Sequence, residues 1–239
     1  MEIQQIRISA KNLGQLALSD CCPRCFYIKM KLNNKLPWQI FPGIFSTIDS
    51  YSKKITWQYF EKFKKVPPWF EPFGEFTNML PVPGWSKFCI VDSQTGIMLT
   101  GVPDDIFIMA DGRYFIIDYK TAKYTGNQDK LLGMYRVQLN GYALIFEKLG
   151  LGKVGGLGLC YYEPQGDAPT VSFGTVVRTD GFVIPFRAHL KEIGLDAEEV
   201  VRLLKVVREM VVQGVVPQGN GDCQDCRQLG EVLGLFITK

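Results

Sequence analysis

The stretch Gly101-Val-Pro-Asp104-Asp105-Ile-Phe-Ile-Met-Ala110-Asp111-Gly112-Arg113-Tyr-Phe-Ile-Ile117-Asp118-Tyr119-Lys120-Thr121 sets two runs of β-branched and aromatic residues on either side of an Asp-Gly pair. That arrangement is a strong hairpin signal. Side chains alternate along a strand, so Asp118 and Lys120 share one face and Tyr119 takes the other. Folding the hairpin returns Asp104 and Asp105 to the neighbourhood of Asp118 and Tyr119, gathering carboxylates around a lysine. A two-residue turn pairs Ala110 with Arg113, which sets Asp105 across from Asp118 and Asp104 across from Tyr119; a longer turn, or a bulge near Pro103, exchanges the two aspartates. Carboxylate oxygens with open positions suit Mg²⁺ or Mn²⁺, and a lysine beside them can orient a water or stabilise charge developing on phosphorus.

Outward from the hairpin the chain alternates helical and extended patterns. Apolar positions from Ile44 to Lys65 recur at helical spacing up to Pro67-Pro68, and this helix carries Lys53, Lys54, Lys62, Lys64 and Lys65. Those lysines read as a solvated face, or as a phosphate-tracking one if the carboxylate site lies beside them. Extended runs are expected at Trp85 to Asp92, Gly96 to Thr100, Val154 to Tyr162 and Thr170 to Val177. Helices are expected over Leu131 to Leu149, closed by Gly150, and over Leu195 to Gln213, with Asp196 as N-cap and Gly214 beyond the end. The glycines of 150–158 include no Gly-Lys-Ser/Thr, so no phosphate loop is present. The expected fold class is α/β: a central mixed sheet from about Trp85 to Tyr162, flanked by the helices at 44–65 and 130–149.

The 239 residues contain one histidine. Ser-His-Asp and Cys-His catalysis and multi-histidine metal sites are therefore largely excluded, and His189, with no motif around it, is read as a surface or capping residue. A net charge of +3 is too small by itself to announce a nucleic-acid partner. No run reaches the roughly 18 apolar residues of a membrane span, and the N-terminus lacks a basic-then-apolar leader, so the expectation is a cytoplasmic protein with no membrane association.

Three motifs together resemble the PD-(D/E)XK nucleases of the RecB-like type, including the iron–sulfur CRISPR-associated adaptation nucleases and AddB-type exonucleases. They are Gly101-x-x-Asp104, Ile117-Asp118-Tyr119-Lys120-Thr121, and Gln138-x-x-x-Tyr142, in that order, within about residues 40–165. The resemblance implies a restriction-endonuclease-like core and a metal held by Asp104 and Asp118, with the Tyr119 carbonyl as a further ligand and Asp105 as second choice. It implies that Lys120 positions the attacking water. Gln138 and Tyr142 are one helical turn apart, and the resemblance implies that they help position the phosphodiester. Many members supply a further ligand from a histidine four residues after a glycine; here Phe41-Pro-Gly43-Ile-Phe-Ser-Thr47-Ile-Asp49 holds Thr47, leaving Asp49 or a water as the substitute.

Seven cysteines in such a chain argue against a disulfide framework. Cys22-Pro-Arg-Cys25 and Cys223-Gln-Asp-Cys226 are two Cys-x-x-Cys pairs able to supply four thiolates to Zn²⁺ or to a [4Fe–4S] cluster. The resemblance favours the cluster, although its iron–sulfur members commonly use one N-terminal and three C-terminal ligands. Cys21 is an alternative to Cys25, while Cys89 and Cys160 read as core residues. The domain expectation is one nuclease domain over 1–239: a catalytic core at 40–165 and a terminal subdomain, 1–39 with 214–239, pinned by the Cys₄ centre. The implied function is a Mg²⁺- or Mn²⁺-dependent DNA nuclease, an exonuclease of repair, recombination or defence, acting on single-stranded DNA or free ends and within a larger complex. The alternative is a catalytically weakened nucleic-acid-binding subunit on the same fold.

Overall fold

Residues 5–33, 42–126, 129–166 and 176–237 are described by a computed structural model. Ten strands occur among them: β1 (Arg7–Ser9), β2 (Phe76–Leu80), β3 (Cys89–Val91), β4 (Met98–Thr100), β5 (Asp105–Met109), β6 (Tyr114–Lys120), β7 (Val154–Pro164), β8 (Val177–Arg178), β9 (Gly181–Phe182) and β10 (Phe186–Ile193). The helices are α1 (Ala10–Gly14), α2 (Pro23–Lys31), α3 (Gly43–Phe63), α4 (Leu132–Lys148), α5 (Ala197–Val212) and α6 (Gln224–Ile237). Most of the stretch Thr170 to Val177 lies outside the described residues, as does Phe41.

The hairpin forms, but with a longer turn than the Asp-Gly pair alone suggests. Met109 N–H donates to the Arg113 carbonyl (2.8 Å), which leaves Ala110, Asp111 and Gly112 in the turn. Gly112 takes φ +82°, a left-handed conformation that costs glycine little. Asp111 locks the arrangement by accepting from the Arg113 amide (3.0 Å) and its Nε (2.7 Å). The register therefore moves by one position: Asp105 pairs with Ile117, and Asp104 comes opposite Asp118. Asp104 N–H donates to the Ile117 carbonyl (3.1 Å), and Tyr119 N–H donates to Asp104 Oδ2 (2.5 Å). Since the side-chain period is two, this single step decides which aspartate shares a face with Asp118.

The hairpin sits inside a five-stranded mixed sheet of order β10-β7-β6-β5-β2. β6 and β7 run parallel and are joined by α4; the other neighbours are antiparallel. The expected strands around Trp85 to Asp92 and Gly96 to Thr100 do not belong to this sheet. They become β3 and β4 of a separate three-stranded sheet whose other edge is β1, paired parallel to β4. The central sheet takes its outer strands instead from Phe76–Leu80, within a stretch rich in Pro and aromatics, and from Phe186–Ile193, beyond the 40–165 stretch.

Alternation gives the sheet two dry faces. Ile106, Ile116, Leu157 and Leu159 face one core, with Val137, Leu139 and Phe146 of α4 and Val200, Leu203, Leu204 and Val207 of α5. Phe107, Phe115, Ile117, Tyr119, Cys160 and Tyr162 face the other, with Trp57 and Phe60 of α3 and the fully buried Phe70 of the 3₁₀ turn Pro68–Phe73. A strand apolar on both faces is the signature of a sheet covered on both sides. The polar end of β6 emerges between α3 and α4. Among the described residues no helix is long and apolar enough to cross a membrane.

Candidate active site and cysteine centre

Four elements converge at the C-terminal end of β6. β6 supplies Asp118 and Lys120, the residue before β5 supplies Asp104, α4 supplies Gln138 and Tyr142, and α3 supplies Asp49 and Lys53. Asp49, Asp104, Asp118, Lys120, Gln138 and Tyr142 line a cleft of about 680 Å³. Gly101 lets the β5 approach lie flat against α4, because a Cβ there would overlap the Tyr142 ring.

Lys120 Nζ lies 2.5 Å from Asp118 Oδ2 and donates to Gln138 Oε1 (3.1 Å), with the Tyr135 ring centroid 4.0 Å away. Gln138 Nε2 donates to Asp118 Oδ1 (2.9 Å) and to the Tyr142 hydroxyl (2.6 Å). Both ends of the buried Gln138 amide are thus engaged in holding Asp118, Lys120 and Tyr142. On the other side of the cleft, Lys53 bridges Asp104 and Asp49. Burial, and then the neighbouring Asp118, push the Asp104 carboxyl up to about 7. A buried pair of acids of this kind is relieved by a hard cation, so the all-oxygen donor set fits Mg²⁺ or Mn²⁺. Thr47 is exposed and hydrogen-bonds its own helix at Gly43 (3.3 Å), whereas Phe45, Ser46 and Asp49 of α3 line the cleft and Lys53 reaches its two aspartates from the same helix.

Asp105 points through the sheet into the opposite core. It is 0% exposed, accepts from Trp57 Nε1 (2.8 Å) and from the Tyr119 hydroxyl, and is separated from the cleft by the strand itself. The reason is the register step in the turn, which leaves Asp104 alone to face Asp118. Burial pushes the Asp105 carboxyl up to about 7 as well. A carboxyl titrates near 4 in an unfolded chain, so between about pH 4 and 7 the fold holds protons that the unfolded chain has released. Stability of the metal-free protein is then expected to fall as pH rises through that window. Asp105→Asn removes one of the two groups, so its urea midpoint is expected to vary less between those limits than that of the wild type; an unchanged slope would contradict the assignment.

The four cysteines meet at the first turns of α2 and α6, where helix N-termini favour thiolate. Their sulfur atoms all lie within 4.8 Å of one another, with Cys25–Cys226 at 3.4 Å, Cys22–Cys226 at 3.5 Å and Cys25–Cys223 at 3.6 Å. Burial opposes ionisation of Cys22, yet amide N–H groups of Cys25 and Asn220 and the thiols of Cys226 and Cys223 outweigh it and bring its thiol down to about 6. Cys21 is not in the cluster, and burial pushes its thiol up to about 11. Cys160 is buried in β7, and Cys89 is half-buried in β3. A tetrahedral ion with Zn–S bonds of about 2.3 Å has S···S edges of about 3.8 Å. The thiol spacing fits that figure, whereas a cubane binds each thiolate to a separate iron and spreads the four sulfurs much wider.

In the sequence Lys53 is one of five lysines of the helix expected over 44–65, which ends at Phe63. The other four, Lys54, Lys62, Lys64 and Lys65, are exposed, and Lys53 alone turns into the site. The signal available was Asp49 one turn earlier. His189 lies on β10, 2.8 Å from Glu163 and stacked on Tyr124, rather than at a helix end.

A model of the PD-(D/E)XK nuclease superfamily matches residues 46–228, and the chain belongs to that superfamily. Among solved structures, the crystal structure of SSO0001 is similar at 14% identity and a TM-score of 0.40, over 88% of this chain and 79% of that one. Comparison with curated proteins gives no match. Membership brings a metal-dependent nuclease as the coarse function and a nucleic acid as the substrate, since PD-(D/E)XK nucleases use divalent metals.

Proposed function

We propose that the chain hydrolyses phosphodiester bonds of DNA at a Mg²⁺- or Mn²⁺-dependent site built on Asp104 and Asp118. The supporting observation is the register that sets these two carboxylates on one face with Lys120. Asp104, Asp118 and the Tyr119 carbonyl would hold the ion, with Asp49 close by on α3; Asp105, which faces the other core, is left as a support for Tyr119. The ion, when bound, polarises the scissile phosphate and lowers the pKa of a bound water. Lys120, fixed by Asp118 and Gln138, is placed to orient that water and to offset charge developing on the phosphoryl group. Gln138 and Tyr142 are positioning residues in this reading, because the Gln138 amide is committed to Asp118, Lys120 and Tyr142.

The likeness of the three motifs to RecB-like exonucleases extends the reading to digestion from free ends, in repair, recombination or defence, within the cytoplasm and alongside a larger complex. We keep one domain over 1–239, with the termini pinned by the cysteines. For that centre the short sulfur–sulfur edges favour a single Zn²⁺ over the [4Fe–4S] cluster. The exposed Thr47 in place of the usual histidine supports one second reading, a weakened subunit that binds DNA without cutting it. End-labelled single- and double-stranded DNA, incubated with Mg²⁺, Mn²⁺ or EDTA, separates the two. The nuclease reading expects end-trimmed products only with metal; retarded but intact DNA in every lane would favour the second reading.

A further inference from the structure

The two lysines of the cleft are held differently. Lys120 contacts Asp118, the Gln138 amide oxygen and the Tyr135 ring, so three groups fix it. Lys53 has two carboxylates as its polar partners, Asp104 Oδ1 at 2.7 Å and Asp49 Oδ2 at 2.9 Å, on a flexible four-carbon stem. Asp104 uses its other oxygen to accept the Tyr119 amide, a backbone group that stays in place. One oxygen of Asp104 is therefore bound permanently and the other by a group that can leave.

That exchangeable oxygen is the one a cation in the cleft would need. The pair is shielded, with the Asp104 side chain 11% exposed and that of Lys53 35% exposed, so salt screens it only in part. What stands between Asp49 and Asp104 is the Lys53 ammonium.

We infer that Lys53 is a built-in counter-ion seated in the metal site: a divalent cation reaches Asp104 by displacing the Lys53 ammonium, and the displacement frees Asp49 to serve as a third carboxylate. The inference rests on the reading of Asp104 and Asp118 as the metal-holding pair. It predicts a sign opposite to that of a lysine that merely pre-orients Asp104. Removing a pre-orienting group weakens metal binding, whereas removing a competing cation strengthens it.

The test is Mn²⁺ binding in the absence of DNA, followed by the electron paramagnetic resonance signal of free Mn²⁺ in titrations of the full chain. Lys53→Met keeps the apolar stem, and Lys53→Gln serves as a second variant should the first fold poorly by circular dichroism. Both are expected to bind Mn²⁺ at least about tenfold more tightly than the wild type, because a charged competitor beside a half-buried carboxylate is gone. Lys53→Arg keeps the charge and is expected to stay within about threefold of the wild type. Equal or weaker binding by the neutral variants, with Mn²⁺ binding intact in the wild type, overturns the role of Lys53 alone. Absence of Mn²⁺ binding in every protein, or its persistence in Asp104→Asn, overturns the metal-site reading and this inference with it.

Discussion

Lys120→Ala and Asp118→Asn are each expected to lower cleavage of DNA by about 10²–10⁴-fold while leaving the protein folded. Asp118 and Lys120 are 2.5 Å apart, and both are gripped by Gln138, so either change disrupts the polar cluster that would set the metal and its water. The two differ in what else they do. Asp118→Asn removes a proposed ligand, so raising Mn²⁺ should recover little activity; Lys120→Ala leaves the carboxylates in place, so Mn²⁺ binding should survive while the rate does not. Single-turnover digestion of end-labelled DNA, with a parallel Mn²⁺ titration, reads both effects. Undiminished cleavage in both variants would remove the site from the reaction.

The second large effect is expected at the cysteine centre. Cys25 contacts both Cys223 and Cys226, joining the first turn of α2 to that of α6 across nearly the whole chain. Cys25→Ser or Cys226→Ser should release the metal and cost about 3 kcal/mol, and each kcal/mol moves the melting midpoint of a domain of this size by about 2–4 °C, so a drop of about 10 °C is expected. Hydrogen exchange should rise first in α2 and α6, since a metal held by the four thiols would close a long loop between them. Elemental analysis of the wild type should return about one zinc per chain in a colourless protein. A brown protein with several irons per chain and absorption near ~400 nm would contradict the single-ion geometry and restore the cluster.

Much of the site was legible because chemistry-bearing residues sat on regular elements. Strand alternation placed Asp118 with Lys120, helical spacing placed Gln138 with Tyr142, and the Cys-x-x-Cys spacing anticipated a four-sulfur cluster. Strand pairing alone leaves the choice between Asp104 and Asp105 open, since it turns on one residue of turn length and Asp-Gly serves two- and three-residue turns alike; only the resemblance favours Asp104. Lys53 was hidden for another reason: five lysines on one helix look equivalent until tertiary packing turns α3, and only Lys53 then meets Asp104. The sheet assignment of β3 and β4 failed on a non-local pairing, as β1 lies about ninety residues upstream of β4 and local patterns carry no record of it. The edge strand Phe76–Leu80 lies in a stretch rich in prolines and aromatics that carries no strand-like alternation.

On the proposed reading, Asp104 and Asp118 together hold the ion that makes this chain a nuclease. Wild-type protein and Asp104→Asn, run side by side on end-labelled DNA with Mg²⁺, Mn²⁺ or EDTA, test it most directly. Products are expected with the wild type and metal only, and none above background with the variant. Products that persist in EDTA, or that Asp104→Asn forms at the wild-type rate, would contradict it.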